Sequence, residues 1–342
     1  MSGKITVGVI GCGYWGPNLL RNFAENENWE LRWICDLDQH RLDSLGRRYP
    51  AVRTTTESKH LMADPQLDAV AIVTPVGTHF SFASEALRNG KHVLVEKPLT
   101  ASVAEAEQLT EIAERNNRVL MVDHTFVYTG AVTKIKEIVA SGELGDLLYF
   151  DATRINLGLF QDDINVVWDL APHDFSIMDF MIDSRPESVS ATGSCHIKQG
   201  IENIAYVMLR FPNELIAHFH FNWLSPVKIR HTLIAGSSKM IVYDDIEPTE
   251  KVRVYDRGVT ATRSNGLDKE AAYKTLVSYR TGDVWVPKID TTEALHYVCV
   301  EFLEAITQKR RPLTDGNAGL RVVRLLEAAQ RSMDQGGKPV KV

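Results

Sequence analysis

The sequence predicts an α/β chain in two parts: a doubly wound parallel sheet over residues 1–123, then an α+β domain over residues 124–342 whose C-terminal helices can pack back on the first. Three observations predict it. Short β-branched apolar runs alternate with amphipathic helical stretches through the first third. A glycine-rich turn joins the first run to the first helix. After residue 146 the strand-like runs follow one another with few helices between them, which implies an antiparallel sheet.

Ile5-Thr6-Val7-Gly8-Val9-Ile10 reads as a buried strand, and Pro17 opens a helix carrying Leu19, Leu20 and Phe23. Between them stands Gly11-Cys12-Gly13-Tyr14-Trp15-Gly16, a G-x-G-x-x-G turn. Gly11 permits the tight turn, Gly13 lets backbone approach a pyrophosphate, and Gly16 lets helix and strand pack closely. The helix N-terminus then attracts the phosphates, so residues 11–16 form a candidate dinucleotide grip. A second strand, 31–35, ends in Asp36 about twenty residues after Gly16. A carboxylate there accepts the adenosine ribose hydroxyls and repels a 2′-phosphate, favouring NAD over NADP; Arg41 nearby softens that choice.

Further strands fall at 69–73, 92–95 and 119–122, and helices at 39–49, 79–89 and 102–116. The run Thr74-Pro75-Val76-Gly77-Thr78-His79 follows a strand's carboxyl end, where doubly wound sheets bind ligands. Thr74, Pro75 and His79 are therefore placed beside the cofactor. Glu96-Lys97-Pro98 follows the next strand, putting Glu96 and Lys97 near the nicotinamide; a surface Lys97 paired with Glu96 is the alternative.

A helix over 131–139 stops at Ser141-Gly142. Strands are expected at 147–155, 188–197, 203–211, 214–223, 228–235 and 239–243, with Phe211-Pro212-Asn213-Glu214 turning a hairpin. Residues 257–282 show little periodicity and read as a long excursion. Helices return at 292–308 and 316–334, and 338–342 reads as a last strand. Within the second half, Trp168-Asp169-Leu170-Ala171-Pro172-His173-Asp174 leads into an apolar helix. Proline is tolerated in a first turn, so the helix is expected to begin close to Asp169, with the carboxylate near the N-cap. His173 lies one turn further on the same face, and an imidazole oriented by an acid is a natural proton acceptor. A simple capping aspartate and a first-turn histidine are the alternative. Trp168 reads as packing.

The net charge of −6 and the lack of a basic patch give no footprint for nucleic acid. No apolar run reaches transmembrane length, and no signal-peptide pattern opens the chain. Cys12, Cys35, Cys195 and Cys299 form no C-x-x-C, which fits reduced thiols in the cytoplasm. His218 and His220 share one face of a strand without a third ligand, so no metal site is assigned.

Taken together, these motifs resemble the glucose–fructose oxidoreductase/inositol dehydrogenase/MocA family over essentially the whole chain. The glycine loop, Glu96-Lys97-Pro98, the Asp169/His173 pair, and Pro312-Leu313-Thr314-Asp315-Gly316 followed by Gly319-Leu320-Arg321 stand in the family's order. The resemblance implies a Rossmann domain, then a domain on a large, open, mostly antiparallel sheet whose exposed face commonly forms a homodimer or homotetramer. It also implies Lys97, Asp169 and His173 as the catalytic set, and a cis Lys97–Pro98 bond. One departure is Asp123-His124-Thr125-Phe126, where many sugar-oxidising relatives carry an arginine shortly afterwards and this chain has none before Lys134. The run from Arg154 to Gln161 resembles a branch associated with bacterial surface-polysaccharide and nucleotide-sugar modification. The expected reaction is NAD-dependent oxidation of a secondary sugar hydroxyl, C3 of a nucleotide-activated hexose. His173 would act as base and Lys97 at the reacting oxygen, with Tyr128, Arg154, Asn156 and Gln161 as candidate substrate contacts. Inositol or free-sugar oxidation and keto-sugar reduction use the same residues. A non-catalytic NAD sensor would keep the glycine loop but has no use for Lys97, Asp169 and His173.

Overall fold

Six parallel strands form the core of the first of two units in this computed structural model. The structure describes residues 4–158, 160–256, 258–261 and 277–342. The first unit comprises Met1–Thr129 and Thr292–Glu327, the second Gly130–Thr291 and Ala328–Val342.

In the first unit the strands are β1 (Ile5–Ile10), β2 (Trp29–Cys35), β3 (Arg53–Thr55), β4 (Ala69–Ile72), β5 (His92–Glu96) and β6 (Leu120–Asp123), ordered β3-β2-β1-β4-β5-β6. Central strands buried on both faces need continuous apolar runs rather than alternation. Val7, Val9 and every residue of β4 are fully buried, as that requires. Strand order reverses between β1 and β4, which is where such sheets open a ligand crevice at their carboxyl ends. The connecting helices are α1 (Gly16–Glu25), α2 (Gln39–Arg48), α3 (Lys59–Ala63), α4 (His79–Arg88) and α5 (Val103–Arg115). Neither β3 nor α3 was expected, since three and five residues are too few to show a period.

Helix α6 (Gly130–Ala140) opens the second unit, α7 (Val166–Met181) follows in it, and α8 (Ala294–Thr307) belongs to the first. The last helix is α9 (Gly316–Asp334). Helix α8 completes the first unit's core: Trp29 meets Phe23 edge-on at 5.0 Å, stacks on Phe302 at 5.6 Å, and donates Nε1–H to the Cys299 carbonyl.

The second unit is built on a nine-stranded sheet. Its strands are β7 (Leu147–Leu157), β8 (Ser188–Ser194), β9 (Ile204–Arg210), β10 (Ile216–Asn222), β11 (Leu224–Gly236), β12 (Met240–Asp244) and β13 (Val252–Tyr255), with β16 (Val284–Trp285) and β17 (Val340–Lys341) at the two edges. The sheet is mixed, because β10 runs parallel to β7 while the other neighbours are antiparallel. The expected hairpin is present, with Asn213 and Glu214 at φ 62° and 63° turning β9 into β10. In β9 and β10 burial alternates with period two: Ala205, Val207, Leu209, Ala217, Phe219 and Phe221 point inward. Helix α7 covers that inner face, its Phe175 ring packing edge-on against Phe219 at 4.9 Å. Of the stretch 257–282, β14 (Gly258–Ala261) pairs with β15 (Val277–Arg280), and 262–276 lies outside the described residues.

Candidate active site

The glycine turn has the steric requirements its spacing implies. Gly11 sits at φ 94°, and a Cβ there would meet the Val73 carbonyl oxygen at 2.4 Å. A Cβ on Gly16 would meet the Gly11 oxygen at the same 2.4 Å, so α1 packs as closely to the turn as backbone allows. Gly13 differs: only Arg41 Nη1 lies near, at 3.9 Å, so this position faces open space. That is the cradle a pyrophosphate needs, bounded by Tyr14, 89 % exposed, and by Trp15 at the N-cap of α1.

Asp36 stands beside this cradle, oriented by two backbone amides. Cys12 N–H donates to Oδ2 at 2.6 Å and Asp38 N–H to Oδ1 at 2.8 Å, while Arg41 Nη1 lies 3.9 Å away. The expectation for Cys12 is thereby corrected: its amide is spent on Asp36 rather than on a phosphate. Its thiol is buried, pushed up to about 12 by loss of solvent and by the Asp36 charge. Leu37, next to Asp36, is 91 % exposed, an apolar surface that the sequence reading passed over.

At the carboxyl ends of β4 and β5 the Thr74 and Thr78 hydroxyls lie 2.7 Å apart, and Lys97–Pro98 is cis. Pro75 is exposed and Lys97 half-buried. His79, expected to touch cofactor, is corrected by the structure. It is 1 % exposed, its ring nitrogens 2.7 Å and 2.9 Å from the Thr74 and Pro98 carbonyl oxygens, so it is enclosed between the two turns and its one N–H donates to one of those carbonyls. Burial holds it below the ordinary histidine range. Glu96 is corrected too: one carboxyl oxygen is sealed from solvent and the group turns against Asp123.

In the second unit, α7 begins three residues before the expected start. Asn165 is the N-cap, its Oδ1 accepting from Val167 N–H at 3.1 Å and Trp168 N–H at 3.2 Å. Asp169 falls within the first turn and Pro172 inside the helix. Proline there cannot donate to the Trp168 carbonyl, so α7 lacks the rung between Trp168 and Pro172. Both side chains are half-buried, and Asp169 Oδ2 accepts the indole N–H of Trp223 at 3.0 Å. Trp223 is fully buried, so a rigid donor fixes the carboxylate one turn from the imidazole.

Two expected substrate contacts are corrected. Arg154 is 3 % exposed and forms a bidentate pair with Asp174, Nε at 2.8 Å and Nη2 at 2.9 Å, within the second unit. Tyr128 belongs to the first unit, 7 % exposed, with its hydroxyl 2.9 Å from Thr314 Oγ1. Asn156 is half-buried at the end of β7 and Gln161 is exposed; Leu159 between them lies outside the described residues.

Residues 5–124 match the model of an oxidoreductase family with an NAD-binding Rossmann fold, and residues 132–242 match the GFO/IDH/MocA C-terminal domain. The chain belongs to the GFO/IDH/MocA oxidoreductase family. Its members act as NAD-binding sugar and polyol oxidoreductases, and the open cradle at Gly13 fits that cofactor. An uncharacterised oxidoreductase of Escherichia coli, YdgJ, is 29 % identical over 73 % of this chain and 74 % of its own. UDP-N-acetylglucosamine 3-dehydrogenase of Acidithiobacillus ferrooxidans is 27 % identical over 92 % of this chain and 93 % of its own. Among solved structures, GenD2 from gentamicin A biosynthesis in complex with NAD has a TM-score of 0.82 at 23 % identity, covering all of this chain and 97 % of that one. No helix among the described residues is long and apolar enough to cross a membrane.

Proposed function

We propose that this family member oxidises a secondary hydroxyl of a nucleotide-activated hexose, at C3, using NAD. Asp36 would receive the adenosine ribose, with Leu37 against the adenine, and the Gly13–Trp15 backbone would receive the pyrophosphate. Thr74, Pro75 and Lys97 would border the nicotinamide. When bound, the nicotinamide supplies the hydride acceptor. His173 removes the hydroxyl proton, Asp169 supports the charged imidazole, and Lys97 hydrogen-bonds the reacting oxygen as its negative charge develops. Asn156 and Gln161 are the remaining substrate contacts.

The observation that carries this reading is the half-buried Asp169/His173 pair, one helical turn apart and braced by the Trp223 indole, in a chain that also carries the Gly13 cradle. The preference for a nucleotide-linked sugar and for C3 draws support from the 27 % identical relative that is a UDP-N-acetylglucosamine 3-dehydrogenase. A role in surface-polysaccharide synthesis and a cytoplasmic location follow from the same reading. So does a homodimer or homotetramer formed through the outward sheet face, where Tyr149, Tyr206 and Met208 are exposed.

The test is NADH formation, and thermal stabilisation with NAD present, across nucleotide sugars, free sugars and inositols. A substrate that binds only the native state raises its melting temperature by mass action. A nucleotide-linked hexose should surpass the rest in both assays. A free polyol that does better overturns the nucleotide-sugar assignment.

A further inference from the structure

Asp123 ends β6 directly across from Glu96, the last residue of β5, so the parallel register sets the two side chains side by side. Asp123 is fully buried, and one Glu96 carboxyl oxygen is enclosed beside it. Two buried carboxyls set side by side repel when both are charged, so one of them carries a proton. Further donors meet Asp123: Thr125 Oγ1–H reaches Oδ1 at 2.8 Å and Trp15 Nε1–H reaches Oδ2 at 3.2 Å. Those donors fix the negative charge on Asp123. Burial, together with that charge, pushes Glu96 well above the usual carboxylate range, which leaves the proton there. Nearby His124, Tyr128 and Cys299 stay neutral, each shifted by burial, so the cations around the pair are Lys97 and, beyond His124, Arg321.

The two ends of this contact matter to function. Trp15 belongs to the glycine turn proposed above to receive the dinucleotide, and Glu96 immediately precedes Lys97 in the cis turn. We propose that Asp123 is a positioning residue whose buried carboxylate, bonded to Trp15 on one side and set against Glu96 on the other, couples the grip on the dinucleotide to the placement of Lys97. The lysine half of this proposal rests on the role given to Lys97 above; the dinucleotide half does not.

Four variants of the full chain test it, with NADH affinity measured by nicotinamide fluorescence and steady-state kinetics on whichever substrate is turned over. Each variant removes one hydrogen-bonding group at a charged or protonated partner, and the expected readout is a change of about tenfold in affinity. Trp15→Phe removes only the indole N–H and should raise the NADH Kd and the KM for NAD about tenfold with little change in kcat. Asp123→Asn should raise the same constants and also lower kcat about tenfold. Glu96→Gln, whose amide donates as the protonated carboxyl does, should restore the NADH affinity that Glu96→Ala loses. Wild-type NADH affinity in folded Trp15→Phe and Asp123→Asn overturns the proposal. So does a Glu96→Gln variant no better than Glu96→Ala, since Glu96 would then act as a charge. The NADH measurements need no sugar, so they stand or fall separately from the substrate assignment.

Discussion

Asp36 shows how one carboxylate serves two ends. Its Oδ2 is anchored by the Cys12 amide, which ties the acid proposed to meet the ribose to the glycine turn proposed to meet the pyrophosphate. Replacing it with alanine removes the repulsion toward a 2′-phosphate and leaves the Cys12 amide without its acceptor. Asp36→Ala should therefore weaken NAD binding and raise the NADP-to-NAD ratio of kcat/KM at least about tenfold. Kinetics with both cofactors measure this, and an unchanged ratio removes Asp36 from that role. At this scale position was legible wherever spacing sets it: the glycines of the turn, Asp36 just after β2, and the four-residue step from Asp169 to His173 on α7. The sequence was uninformative wherever a polar side chain's partner lies elsewhere in the chain. Nothing in the local sequence pairs Tyr128 with Thr314 or Arg154 with Asp174, and those partners turned two expected contacts into interior bonds. His79 failed for a related reason, because both of its neighbours are backbone carbonyls. Trp223 was missed altogether, since its bond to Asp169 spans 54 residues.

At the scale of elements, α7 carries the most consequence, because Asp169 and His173 both ride on it. Its start rests on Asn165, which caps two amides with Oδ1 and donates Nδ2–H to Glu202 and Gln330 at 2.7 Å each. Loss of a cap of this kind costs about 0.5–2 kcal/mol. Asn165→Ala should lower the melting temperature accordingly and also lower kcat, since the turn bearing Asp169 would fray. Calorimetry with steady-state kinetics checks both, and an unchanged melting temperature contradicts the capping assignment. The proline rule located this helix but misplaced its start: Pro172 lies past the first turn, stabilised there by burial of its neighbours on the inner sheet face. Period-two alternation found β9 and β10, yet the parallel pairing of β10 with β7 was invisible, because periodicity reports which face is buried and not which strand lies alongside.

For the whole molecule, two buried histidines and one half-buried histidine make stability depend on pH. His79, His92 and His124 are all pushed below 6.5 by burial, His92 to about 4 and His124 to about 3. The unfolded chain therefore binds more protons than the native state between about 6.5 and those lower values, so stability falls as pH drops through that window. For His92 the cause is visible: Nδ1 accepts the Val119 N–H at 3.0 Å, and protonating that nitrogen breaks the bond. Protonated Glu96 acts in the opposite sense over the same range, so the histidine share is read as a difference between variants. His92→Asn keeps an acceptor but cannot titrate, so its denaturant midpoint should gain on the wild type as pH falls below about 6.5. A difference that holds constant down to pH 4 would contradict a neutral His92 in the native state. The fold class was legible at this scale because alternation of strand and helix is a property of long stretches. The return of Thr292–Glu327 to the first unit depends on Trp29 meeting Phe302 and Cys299, contacts between segments too distant in sequence for periodicity to join.

Lys97 and His173 are the residues proposed to carry the chemistry on a sugar hydroxyl. The most direct measurement is kcat of Lys97→Ala and His173→Ala, with NADH affinity determined on the same preparations. Positioned acid–base groups are worth about 10²–10⁴ in rate, so each variant should lose at least a hundredfold, or about 2.7 kcal/mol of transition-state stabilisation, while binding NADH nearly as the wild type does. Turnover at the wild-type rate in both variants would contradict the account.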